Sequence, residues 1–118
     1  MKSHSNVQRI IFLFLIIITA SAFQLIKTSL NITVRDDVGN TVEGAKVQLF
    51  EKEEDYNKEV NIAAEGETDK NGYLKIKNLK AMSYYVIVRK DDKDNAGGGE
   101  QTGKLEANRI NKVTIVIQ

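Results

Sequence analysis

The segment Thr68-Asp69-Lys70-Asn71-Gly72-Tyr73-Leu74-Lys75-Ile76 decides the fold class of this chain. Asp, Asn and Gly favour tight or left-handed backbone, so residues 68–72 predict a turn. After this turn Leu74 and Ile76 occupy every second position, which is typical of a strand with one buried face. The segment therefore predicts a sharp turn that leads into a half-buried strand.

The same alternation recurs along the rest of the chain. It predicts strands at residues 30–34, 45–49, 60–64, 74–76, 84–88, 101–105 and 113–117. The mostly charged residues 51–59 predict a solvated loop. An alternative left open there is a short helix with Tyr56, Val60 and Ala64 on one face. The whole pattern predicts an all-β fold, a seven-stranded antiparallel Greek-key β-sandwich that is Ig-like or transthyretin-like.

Residues 1–22 have the three-part pattern of a secretory signal peptide. Lys2 and Arg9 precede an apolar run over residues 10–18, and Ala20 and Ala22 fit an A-x-A cleavage site. This run is shorter than the ~20 residues of a membrane-spanning helix. We expect a signal-peptide helix that is cleaved, a short linker at 23–28, a domain at 29–118, and export to the periplasm or the extracellular space. The alternative is an uncleaved leader that anchors the chain in the inner membrane.

The exported part of the chain lacks the side chains of most catalytic sites. His4, in the leader, is the one His of the sequence, and there is no Cys. This excludes Ser-His-Asp and Cys-His nucleophiles as well as ordinary zinc sites. A small sandwich also leaves little room for a cleft between two carboxylates. We therefore predict no enzymatic activity and no organic cofactor.

The charge balance of the sequence indicates which classes of partner to expect. The leader holds two of the 17 Lys and Arg residues and none of the 16 Asp and Glu residues, so the exported part is close to neutral. Without a basic block, nucleic-acid binding is not expected, because such binding depends on neutralising phosphates. No basic amphipathic stretch is present, so we expect membrane contact only through an uncleaved leader.

Three segments occur in a recognisable order: Gly39-x-x-Val42-x-Gly44-Ala45-x-Val47-x-Leu49, Thr68-Asp69-x-x-Gly72-x-Leu74-x-Ile76-x-x-Leu79 and Tyr84-x-Val86-x-Val88. The ordered set resembles the carboxypeptidase regulatory-like domain family, a transthyretin-like and carbohydrate-binding-like sandwich. Small free-standing exported members from Bacteroidota are the most similar. The resemblance spans about residues 28–118 and implies an accessory module without an active site of its own.

The motif residues have structural explanations. Gly44 and Gly72 allow backbone conformations that other residues resist. Asp69 can accept hydrogen bonds from its own turn, and Leu79 is expected to cover one end of the core. The predicted structural motif thus comprises Gly44, Thr68, Asp69, Gly72, Leu79 and Tyr84.

Acidic loops form a first candidate site. Alternate loops of an antiparallel sandwich meet at the same end, and oxygen ligands from such loops suit calcium. The candidate metal ligands are Asp36, Asp69, Asp92 and Asp94. The alternative is that Asp and Asn are simply turn residues.

Tyr73 and Tyr85 form a second candidate site. If Leu74 and Tyr84 point inward, both tyrosines point away from the core, on the fourth and fifth predicted strands. They would then form a flat platform for a sugar ring or a peptide. The alternative is ordinary cross-strand packing on the sheet surface.

Together these observations predict an exported, non-enzymatic binding or accessory module of the cell envelope, with an envelope protein or a glycan as partner. The alternative is a carbohydrate- or calcium-binding domain that uses the acidic loops or the two tyrosines. We expect a monomer, because Lys75, Lys77 and Lys112 discourage pairing of strand edges.

Overall fold

A computed structural model describes residues 27–118, so the predicted signal peptide and most of the linker lie outside the described residues. The elements are β1 (Ser29–Asp36), β2 (Lys46–Phe50), α1 (Glu53–Lys58), β3 (Ala64–Glu67), β4 (Tyr73–Ile76), β5 (Ser83–Lys90), β6 (Lys93–Asp94), β7 (Gln101–Lys104) and β8 (Ile110–Ile117). Within this part of the chain, no helix is both long and apolar enough to cross a membrane.

The strands form two sheets, and the predicted all-β sandwich is confirmed. Sheet A has the order β4-β1-β8, and sheet B has the order β3-β2-β5 with both β6 and β7 paired to β5. Two details differ from the prediction. The two-residue strand β6 is additional, and β8 pairs parallel to β1. Both strands of this pair start at the same end of the sandwich, where the Ser29 N–H donates to the Arg109 carbonyl (3.0 Å).

The core lies between the sheets and consists of the alternating apolar side chains. The best-buried of these are Leu30, Ile32, Val34, Val47, Leu49, Tyr84, Val86, Val88, Ile115 and Ile117. Because each strand gives every second residue to this layer, the residues between them face outward. The pattern of alternation therefore determines which side chains are available on the two outer surfaces.

The predicted loop at 51–59 is wrong, because residues 53–58 form α1. Acidic residues in its first turn favour a helix N-terminus, and Glu59 ends the helix in a left-handed conformation (φ 53°). The helix is held by Tyr56, whose ring packs edge-on against Phe50 at 6.1 Å between centroids. The predicted strand at 60–64 is correspondingly displaced, since β3 begins only at Ala64.

The turn before β4 has the predicted chemistry. Asp69 Oδ1 accepts hydrogen bonds from the backbone N–H groups of Asn71 (2.8 Å) and Tyr73 (3.0 Å). Gly72 has a positive φ of 77°, and a Cβ there would lie 2.8 Å from the Thr41 side chain. Glycine is therefore required at position 72 for both its backbone conformation and its close contact.

Thr68 connects this turn to β2. Its buried hydroxyl accepts a hydrogen bond from the Ala45 N–H (2.9 Å) and donates one to the Val42 carbonyl (2.6 Å). Its backbone N–H donates to the Ala45 carbonyl, and its own carbonyl accepts from the N–H of Gly44, which has a φ of 71°. The four bonds join the start of β2 to the end of β3.

Tyr84 and Leu79 close the opposite end of the sandwich. The Tyr84 ring is buried, and its hydroxyl accepts a hydrogen bond from the Lys80 N–H (2.9 Å). Leu79 is half-buried against the core, and its N–H donates to the Thr28 carbonyl (3.0 Å). The connection from β4 to β5 is thereby fixed to the start of β1.

The Thr68 hydroxyl provides a test of this arrangement. Thr68→Val keeps the shape of the side chain but leaves the Ala45 N–H and the Val42 carbonyl without partners. We expect the free energy of unfolding in urea to fall by about 2 kcal/mol. Thr68→Ser is the matched control, because it keeps the hydroxyl and loses one methyl group, at a cost of about 0.8 kcal/mol. Equal losses in the two variants would contradict the assigned role.

Candidate functional site

The outer faces of the two sheets differ in what covers them. On sheet B, Phe50 and Ile87 face outward yet are 0% and 8% exposed, because α1 packs against β2 and β5. On sheet A, the outward-facing Tyr73, Ile110 and Val116 are 53%, 46% and 49% exposed. The open face of the described domain is therefore that of sheet A.

A groove of about 610 Å³ lies on this face. Its lining residues come from all three strands and the preceding turn: Asn31, Thr33, Asp69, Tyr73, Leu74, Lys75, Lys112, Val113 and Thr114. We call this surface the sheet A groove.

The strand register arranges the groove in two rows. In one row Asn31, on the central strand, lies between Lys75 on β4 and Lys112 on β8. In the next row Thr33 lies between Tyr73 and Thr114. Directly opposed residues on one sheet face are close enough for their side chains to interact. The groove thus combines two ammonium groups, an amide, two hydroxyl groups and an aromatic ring.

The charge of the groove is mainly positive. Lys75 and Lys112 are exposed, and neither belongs to any of the ion pairs within residues 27–118. Asp69 is the single carboxylate among the lining residues, and one of its oxygens already accepts two backbone hydrogen bonds. Both ammonium groups are consequently available to an anionic ligand.

Two buried polar atoms also lie on the outward side of β1. Ser29 Oγ and Asn31 Oδ1 are the buried side-chain oxygens of residues 27–118 without a hydrogen-bond partner. Buried polar groups in folded proteins are nearly always hydrogen-bonded. Their position, two residues apart on the central strand of sheet A, shows that hydrogen-bonding capacity under this face is unused.

The two predicted ligand-binding tyrosines lie on different sheets. Tyr73 is in β4, which pairs with β1, and Tyr85 is in β5, which pairs with β2. The predicted shared platform is therefore wrong, because consecutive strands of this chain need not be neighbours. Tyr85 is half-buried under α1, with its ring 5.6 Å from that of Tyr56. Tyr73 remains exposed in the sheet A groove.

The four predicted calcium ligands are not assembled into a site. Within residues 27–118, no group of three or more His, Cys, Asp or Glu side chains is placed to hold a metal ion. Asp36 and Asp94, like Asp69, use a carboxylate oxygen to accept backbone N–H groups of their own turns. Asp92 shares a depression with Asp36, but Lys90 and Lys93 line it too. The turn chemistry of these residues competes with metal binding.

Asn95 is a buried residue whose role the sequence pattern did not reveal. Its Oδ1 accepts from the Val88 N–H (2.9 Å), and its Nδ2 donates to the carbonyls of Val86 (3.0 Å) and Gly99 (3.2 Å). The side chain thus bonds to the edge of β5 between its pairings with β6 and β7, and takes the place of part of a neighbouring strand. Nothing in a polar, Gly-rich loop distinguishes such an Asn from a turn residue.

An ion pair ties the end of α1 to β5. The Arg89 guanidinium contacts the Glu59 carboxylate through both of its terminal nitrogens, with 3.1 Å between Nη2 and Oε2. The hydrogen bond from Arg89 lowers the pKa of Glu59. Nearby, burial raises the pKa of the Tyr56 phenol, and the Glu100 carboxylate adds to that effect. The packing of Tyr56 against Phe50 and Tyr85 holds α1 on sheet B, and the exposed pair of Glu59 and Arg89 adds a contact at the end of the helix.

Neither a protein-family model nor a curated protein matches this sequence. Among solved structures, the fold is similar to the crystal structure of the group B streptococcus pilus 2b backbone protein, with a TM-score of 0.51 and 20% sequence identity. The similarity covers 77% of this chain and 40% of the pilus protein, so the chain spans less than half of that protein's length. At this identity the likeness supports the β-sandwich fold. The resemblance to carboxypeptidase regulatory-like domains remains a prediction.

The role of Asn95 can be tested by replacing its amide with a carboxylate, which has no N–H donor. Asn95→Asp cannot donate to the carbonyls of Val86 and Gly99 and places a carboxylate against them. We expect a loss of about 2–4 kcal/mol in the free energy of unfolding, measured by urea denaturation. Asn71→Asp makes the same chemical change in an exposed turn and should stay within about 0.5 kcal/mol of the original protein. A similar small effect at both positions would contradict the strand-replacing role.

The pairing of Glu59 with Arg89 has a pH-dependent consequence. Because the folded-state pKa of Glu59 is lowered, the contribution of the pair to stability is present above the ordinary Glu pKa and is lost as the pH falls through the lowered value. We expect the NMR titration midpoint of the Glu59 carboxyl carbon to rise in Arg89→Gln. Arg109→Gln, which disrupts a different pair, should leave the midpoint where it is. An unchanged midpoint in Arg89→Gln would show that the contact does not persist in solution.

Proposed function

We propose that this protein is an exported, non-enzymatic binding module of the cell envelope, and that it holds its partner in the sheet A groove. One observation carries the proposal. The outer face of sheet B is closed by α1, whereas that of sheet A is open and presents Tyr73, Lys75 and Lys112 at its surface. Aromatic side chains are enriched at binding interfaces, and the exposed Tyr73 lies on this face beside two lysines that have no ion-pair partner in residues 27–118.

The chemistry of the groove supports binding rather than catalysis. Residues 27–118 contain no His and no Cys. Asp69 is the single carboxylate of the groove, so the pair of carboxylates that glycoside hydrolysis requires is not assembled there. The lysines are exposed, and exposed ammonium groups are better suited to pairing with an anion than to acting as bases.

The envelope location rests on the leader pattern of residues 1–22, with its basic start, apolar run and A-x-A end. The resemblance to small exported carboxypeptidase regulatory-like domains points the same way. The similar solved structure is that of a pilus backbone protein, and its shared fold is compatible with a module that works outside the cytoplasm. Periplasm and extracellular space are both consistent with this proposal.

A photo-cross-linking residue at two positions would test the proposed face. Thr114 lies in the sheet A groove, and Lys46 is an exposed, outward-facing residue of sheet B. With benzoylphenylalanine at each position in turn, illumination in envelope extract should give a defined adduct from position 114. Position 46 serves as the matched control and should give none.

A competition experiment tests whether the adduct at position 114 depends on the residues of the sheet A groove. An excess of the unmodified protein should suppress the adduct at position 114, whereas a Tyr73→Ser, Lys75→Glu double variant should not. Circular dichroism confirms that each variant is folded. Adducts of equal yield at both positions, or none at position 114, would overturn the proposal.

A further inference from the structure

We infer that the sheet A groove binds an acidic polysaccharide, with Lys75 and Lys112 pairing to its carboxylates and Tyr73 stacking on a sugar ring. This inference rests on the proposed function and names the class of ligand. It follows from the spacing of the charges, from the exposed aromatic ring and from the hydrogen-bonding side chains at the centre of the groove.

The register sets the spacing of the two positive charges. Lys75 and Lys112 lie on either side of Asn31 in one row across the three strands. Neighbouring strands are about 4.8 Å apart, so the two lysines start about 10 Å apart. Their long flexible stems let the ammonium groups adjust to a regular series of carboxylates. Tyr73 and Thr114 belong to the next row on the same face, about 7 Å along the strands.

The charge distribution favours an anionic occupant. The lining of the sheet A groove has two exposed lysines, Lys75 and Lys112, against one carboxylate, Asp69. The net charge of the chain is only +1, so the attraction is a local property of the groove. Since neither lysine has an ion-pair partner in the described residues, an incoming carboxylate displaces no existing pair.

The unpaired Asn31 Oδ1 gives the site a second type of contact. This oxygen is buried in the row that holds the two lysines. Asn31 also lines the groove, so its side-chain amide lies where a sugar hydroxyl would pass between the two lysines. A ligand rich in hydroxyl groups therefore matches the amide at the centre of this row.

The lining distinguishes a sugar chain from an acidic peptide. Protein interfaces generally have an apolar centre that fills pockets on the partner. In this groove Asn31 and Thr33 occupy the central strand, with the hydroxyl of Thr114 beside them, while carbon atoms make up most of the exposed lining. Tyr73, the aromatic residue of the groove, offers a flat surface for the C–H face of a sugar, while amide and hydroxyl groups bind its substituents.

Isothermal titration calorimetry with polygalacturonate tests the inference on the protein secreted through its own leader. The matched neutral probe is the fully methyl-esterified polymer, which has the same backbone without carboxylates. We expect binding of polygalacturonate that weakens as salt is added, and at least about tenfold weaker binding of the ester.

Two double variants locate the site. Lys75→Gln with Lys112→Gln should weaken polygalacturonate binding about tenfold or more, whereas Lys46→Gln with Lys52→Gln removes the same charge elsewhere and should stay within about twofold. Tyr73→Ala should weaken the binding of both polymers, because stacking does not depend on the carboxylate.

Several outcomes would overturn the inference: no binding of polygalacturonate, equal binding of the ester, equal losses in the two double variants, or equally tight binding of polyglutamate. The last would favour an acidic peptide. A protein adduct at position 114 without polygalacturonate binding would overturn the ligand class and leave the proposed face intact.

Discussion

The hydroxyl of Thr68 is the interaction on which the arrangement of both sheets depends. It bonds to Ala45 and Val42 in the segment that leads into β2, and the turn that begins at the next residue leads directly into β4. At the end of this turn the Gly72 carbonyl accepts from the Val34 N–H at 2.9 Å, which starts the pairing of β4 with β1. One buried threonine thus joins the edge of sheet B to the edge of sheet A. The positions of Tyr73 and Lys75 on the groove follow from it.

The two outer faces differ because the short helix α1 packs against sheet B, whereas no helix of the described residues packs against sheet A. Tyr56 places an aromatic ring between Phe50 and Tyr85, and the contact of Glu59 with Arg89 fixes the helix end. Sheet B thereby gains a second buried layer, although it is small. Sheet A has only its own side chains to cover its outer surface, and those side chains are mostly polar. The outer surface of sheet A is therefore open, because no helix of the described residues covers it.

Period-two alternation was sufficient to predict most strands, the buried face of each and the class of fold, because the sandwich core selects every second residue. The hydrogen bonds of Asp69 within its turn and the positive φ that favours glycine at position 72 could also be predicted from the sequence, because both are set by residues close in sequence. The pairing of strands cannot be predicted in this way, because alternation does not indicate which strands are neighbours. For this reason the predicted shared platform of Tyr73 and Tyr85 is wrong. The sequence offers the helix α1 only as an alternative to a loop and gives no signal for the bonds of Asn95, because both are stabilised by contacts distant in sequence.

The parallel pairing of β1 and β8 has a consequence for the order in which the structure forms. The Asn111 side chain donates to the Ser29 carbonyl across 82 residues of sequence, and β1, the centre of sheet A, completes its pairing only through β8. Sheet A is therefore complete only when residues 110–117 have paired with β1, and contacts of such long range slow folding. Until then one edge of the central strand has no partner, and its backbone N–H and C=O groups on that side stay exposed.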